Sequence, residues 1–90
     1  MQAEPVVLPM PGRLAGDSYR ELERAVLRHP HGRTVVLDCA GLSTVDSLGA
    51  AHLLRLIAEA RRAGLDVRLS HLSGAVRRTL AEVDPAILDE

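Results

Sequence analysis

Asp46-Ser47-Leu48-Gly49 sets a carboxylate, a hydroxyl and a glycine where a polar loop gives way to a long amphipathic stretch. A helix start carries roughly half a positive charge and several N–H groups without partners inside the helix. A phosphate on Ser47 would find those donors already in place. Gly49 keeps the first turn uncluttered and lets a partner's backbone come close, while Asp46 can orient the hydroxyl but would repel a phosphate. The plainer reading is that Asp46 or Ser47 only caps a helix. Other chemistry is poorly supplied. No histidine stands at an evident spacing to activate the Ser47 hydroxyl as a nucleophile. His29 and His31 flank Pro30 in a polar turn and lack a third metal ligand. His52 lies about a turn and a half beyond Ser47 on a polar stripe, and His71 follows a strand end with nothing to mark it. Cys39 is the only cysteine and reads as a small buried hydrophobe. No glycine loop of the nucleotide-binding kind is present. The expectation is a protein that is not an enzyme and carries no metal or cofactor.

Ninety residues argue for a single domain spanning 1–90. Twelve acidic side chains face eleven basic ones, all of them Arg and interspersed with acids, for a formal charge of −1. That balance is a poor footprint for nucleic acid. With Tyr19 as the only aromatic residue, bases have almost no platform to stack on. No stretch approaches the ~20 apolar residues of a membrane span, and the first residues lack the features of a secretory signal. A lone cysteine fits a reducing compartment, so the expected location is cytoplasmic, without membrane insertion.

The elements that must position Ser47 alternate along the chain. Val6-Val7-Leu8, hemmed in by Pro5, Pro9 and Pro11, suits only an edge or a broken strand. Gly12 turns the chain. Asp17 or Ser18 (the latter in a Ser18-x-x-Glu21 capping box) would open a helix with Tyr19, Leu22 and Val26 on its apolar side. His29-Pro30-His31-Gly32 ends it. Thr34-Val35-Val36-Leu37 reads as a central strand covered on both faces. A helix over residues 48–63 turns Ala50, Leu53, Leu54, Ile57 and Ala60 inward and His52, Arg55, Glu59 and Arg62 outward, with Gly64 as its terminal glycine. Residues 66–70 form another strand. Ser73 would cap a third helix with Val76, Leu80 and Val83 as its stripe and Arg77 and Arg78 toward water, and Asp84-Pro85 could start a further turn. The predicted class is α/β, a small mixed or parallel β-sheet with helices packed on it.

Residues 34–80 resemble the STAS domain, the family that includes bacterial anti-sigma factor antagonists. The likeness rests on Val35-Val36-Leu37-Asp38, on Asp46-Ser47-x-Gly49, and on the helix ending at Gly64. It continues through the strand at 67–70 and Ser73-x-Ala75-Val76-Arg77-Arg78-x-Leu80, and Gly12-Arg13-Leu14 matches the family's Gly-x-Leu. The resemblance implies that Ser47 is phosphorylated by a serine kinase that is also the anti-sigma factor, which binds the unphosphorylated domain and releases the phosphorylated one. It marks Asp46, Leu48, Gly49, Ala50 and Ala51 as the partner-binding surface, with Asp38 organising the loop that presents Ser47. Leu48 stands where many members carry a second serine. A short STAS domain exposes sheet edge, which favours a stable partner or a homodimer. The chain is also similar to the small STAS subunit that docks on the ATPase of bacterial lipid-transporting ABC complexes and needs no phosphotransfer.

Overall fold

The computed structural model describes residues 4–14 and 16–84, apart from the side chains of 16–18. The elements in chain order are β1 (Val6–Pro9), β2 (Arg13–Leu14), α1 (Gly16–Leu27), β3 (Thr34–Asp38), β4 (Thr44–Val45), α2 (Ser47–Arg62), β5 (Asp66–Ser70) and α3 (Gly74–Val83). The class is α/β. Strands β1, β3 and β5 form one parallel sheet in that order, with Val6 level with Val35 and Val35 level with Val67. β1 lies at an edge, where its flanking prolines cost no ladder bonds. The small strands β2 and β4 pair with each other, Arg13 beside Thr44 and Leu14 beside Val45. The sequence shows no sign of them, because two residues are too few to display alternation.

The register puts Val6, Leu8, Val35, Leu37, Val67 and Leu69 on one face of the sheet and Val7, Val36 and Arg68 on the other. Of the first set, Leu8, Val35, Leu37, Val67 and Leu69 join one core with Leu22 and Val26 of α1, Leu53, Leu56 and Ile57 of α2, and Val76 and Leu80 of α3. All three helices therefore cover the same face. This corrects the expectation that β3 is covered on both sides: Val36 is only half-buried and Val7 is 59% exposed. An uninterrupted β-branched run does not by itself distinguish a strand covered twice from a central strand whose outer face keeps a valine.

The helices follow their apolar spacing. In α2 each inward position predicted from the sequence is buried, and Leu56 is buried with them. Gly64 follows the helix at φ +88, and the His31 ring occupies the space a side chain there would need. Ser73 caps α3, its hydroxyl accepting the Val76 amide at 3.2 Å. Val83 is a correction, being 40% exposed beyond the last contact with the core. α1 begins at Gly16, so Asp17 and Ser18 fall within its first turn; their side chains, and the turn expected at Pro85, lie outside the described residues.

The single-sided sheet makes a direct prediction. Val35→Thr buries a hydroxyl at a site with no solvent exposure and should destabilise by about 1–3 kcal/mol. Val36→Thr, one residue along, should change stability by less than about 0.5 kcal/mol. Urea midpoints at constant slope measure both.

Candidate functional site

The site is built at the carboxyl ends of the parallel strands. β3 delivers Asp38, whose Oδ1 accepts the Ala40 amide at 3.0 Å and meets Nδ1 of His71 at 3.1 Å. The Ala40 amide, and next the His71 ring, hold the Asp38 carboxyl below the usual range for aspartate. The chain then dips inward: Leu42 is buried, and its amide donates to the Cys39 carbonyl at 3.1 Å. The Gly12 carbonyl accepts the Ser43 and Thr44 amides and the Ser43 hydroxyl, tying the loop to the turn before β2. One residue beyond β4, Asp46 takes extended backbone angles and caps α2, its Oδ1 accepting the Gly49 amide at 2.6 Å.

Ser47 is the first residue of α2 and is exposed, as are Asp46 and Ala51. Leu48 is 67% exposed, a large apolar side chain standing beside the hydroxyl. Gly49 and Ala50 are buried, which corrects their place in the expected contact surface: α2 turns them toward the core. Gly49 has a steric role instead. A Cβ there would lie 2.8 Å from the Leu14 carbonyl oxygen and 3.2 Å from Asp46 Oδ1. Only glycine lets β2 pass this close to the helix start. The expectation of free donors also changes, because Asp46 occupies the Gly49 amide and Ala50 bonds to the Asp46 carbonyl. A group on Ser47 is left with the Ser47 and Leu48 amides.

His71 is a residue that sequence spacing missed. It holds a left-handed backbone at φ 57, uncommon for a non-glycine residue, and joins the end of β5 to Asp38. Its signal is tertiary, since the two residues are far apart in sequence. His52 is not a free surface side chain. Its ring lies 4.8 Å from that of Tyr19 at 36°, linking α1 to α2, and Tyr19 donates to Glu23 at 3.1 Å. Cys39 is buried, and burial together with the nearby Asp38 charge pushes its thiol up to about 11. Among the described residues, no group of three His, Cys, Asp or Glu side chains could hold a metal ion, and no helix is long and apolar enough to cross a membrane.

The family model described as "Mlab, STAS domain" matches residues 1–86 of the 90, and the chain belongs to the STAS domain family, which includes anti-sigma factor antagonists. No match is found among curated proteins.

Two predictions follow from this geometry. Gly49→Ala should cost about 1–3 kcal/mol of stability, because the Leu14 carbonyl or the helix start must shift to admit the methyl; thermal unfolding against wild type measures it. Asp38 should contribute stability above the usual aspartate pKa of about 3.9, and that stability should fade as pH drops through its lower folded value. Asp38→Asn should therefore flatten the acid limb of the stability–pH curve.

Proposed function

We propose that this STAS domain is an anti-sigma factor antagonist whose switch is the Ser47 hydroxyl. Unphosphorylated, it binds a protein that is both anti-sigma factor and serine kinase; phosphorylated on Ser47, it lets that protein go. One observation carries the reading: the Ser47 hydroxyl is exposed at the first position of a long, firmly seated helix, with exposed Leu48 beside it. Leu48 and Ala51 supply apolar contact, Asp46 holds the helix start, and Asp38 steadies the loop ahead of it.

Phosphorylation adds about −1.5 to −2 charges at neutral pH, more than the formal charge of the whole chain, −1. Because Asp46 carries a carboxylate beside it and occupies the Gly49 amide, the phosphate has only the Ser47 and Leu48 amides to bond within the domain and projects toward the partner. Repulsion and desolvation then act across the interface without refolding the core. A difference of about 1–3 kcal/mol is a 5–150-fold change in affinity.

A second reading, a STAS subunit docked permanently on the ATPase of a lipid-transporting ABC complex, is favoured by exposed Leu48 acting as a docking anchor that needs no phosphate. Incubation with the anti-sigma kinase and ATP separates the two. The switch reading expects phosphate on Ser47 by peptide mass spectrometry, none on Ser47→Ala, and weaker kinase binding by the phosphorylated form. Equal binding by both forms contradicts it. Co-purification with an ABC ATPase, with transport intact in Ser47→Ala, supports the second reading.

A further inference from the structure

The two edges of the main sheet differ in what they offer. In β1, the Met10 amide just past the strand donates to Asp38 at 2.9 Å, so Leu8 and Val6 also face β3, while Pro5, Val7 and Pro9 face outward. Proline has no N–H, which leaves Val7 as the single donor of that edge. In β5, the Asp66 amide donates to Arg33 and the Ser70 carbonyl accepts from Cys39, so residues 66, 68 and 70 face β3. Val67 and Leu69 therefore point their amides and carbonyls away from the sheet, and no strand among the described residues pairs with them. Among the described residues, one group does reach this edge. From the last turn of α2, the Arg61 guanidinium Nη2 donates to the Val67 carbonyl at 3.0 Å.

We propose that the outer edge of β5 is a self-association surface for a second copy of this chain, and that Arg61 is the guard that restrains it. Charge complementarity selects the occupant and the register. Two β5 strands related by a two-fold axis at Val67 run antiparallel, and the outward groups of each Val67 bond to those of its counterpart. Asp66 of each copy then lies opposite Arg68 of the other. Within one chain these two side chains already pair at 3.1 Å on the open face, with relative exposures of 50% and 68%, so they can exchange partners without entering the core. Arg61 must leave the Val67 carbonyl before the strands can meet, so it opposes pairing as an edge cation does.

Sedimentation velocity across a concentration series tests this. Arg61→Ala should dimerise at a concentration at least about tenfold below wild type, since it gives up a charged hydrogen bond that only the monomer keeps. Arg61→Met retains the aliphatic stem and serves if the alanine variant fails to fold. Adding Arg68→Asp to either variant sets two carboxylates opposite each other and should abolish the dimer; adding Asp66→Arg as well should restore it. A folded Arg61 variant that associates no more than wild type overturns the proposal, as does a dimer indifferent to Arg68→Asp.

Discussion

The Leu14 carbonyl oxygen and Gly49 are packed so closely that no side chain fits between them, and the rest of the site depends on that approach. It presses the short β2–β4 pair against the first turn of α2, so the helix start is fixed from outside as well as by its own Asp46 cap. Once the turn is fixed, its faces are fixed too. Gly49 and Ala50 point to the core, while Ser47, Leu48 and Ala51 point to solvent. A hydroxyl at the third or fourth helical position, where Gly49 and Ala50 are buried, would not stand clear in this way. Stability and presentation of the serine thus come from one contact.

Much of this was legible in the sequence wherever an element was long enough to show a period. α2 displayed its inward face at Ala50, Leu53, Leu54, Ile57 and Ala60, and the pattern Asp46-Ser47-x-Gly49 marked where the helix begins. Gly64 marked where it ends. What stayed hidden was tertiary. Two-residue strands carry no period, so β2 and β4 were invisible, and with them the reason for Gly49, read from sequence as room for a partner's backbone rather than for the chain's own β2. The pairing of Asp38 with His71 and of Tyr19 with His52 joins residues distant in the chain. The open face of the sheet was misread because Val36 has the same composition signal whether helices cover it or not. Gly49 and Ala50 were assigned to the contact surface because adjacency in sequence was taken for adjacency on the surface, which a helix of 3.6 residues per turn does not grant.

A sheet covered on one side leaves a chain of 90 residues with a thin margin, and the protein manages its exposed parts economically. Prolines blunt one edge and an arginine covers the other. The open face mixes Val7 and Val36 with Asp66 and Arg68 rather than presenting a continuous apolar patch.

Amide hydrogen exchange at residues 47–50 tests the central claim most directly, because it reads the helix start without any partner. If Asp46 and the close-packed Leu14 hold this turn as described, the Gly49 and Ala50 amides are protected, while those of Ser47 and Leu48 exchange at rates near those of an open chain. Rapid exchange at Gly49, or protection at Ser47 equal to that at Ala50, would mean that the turn is not fixed or that the serine is not presented to solvent, and the account would fail.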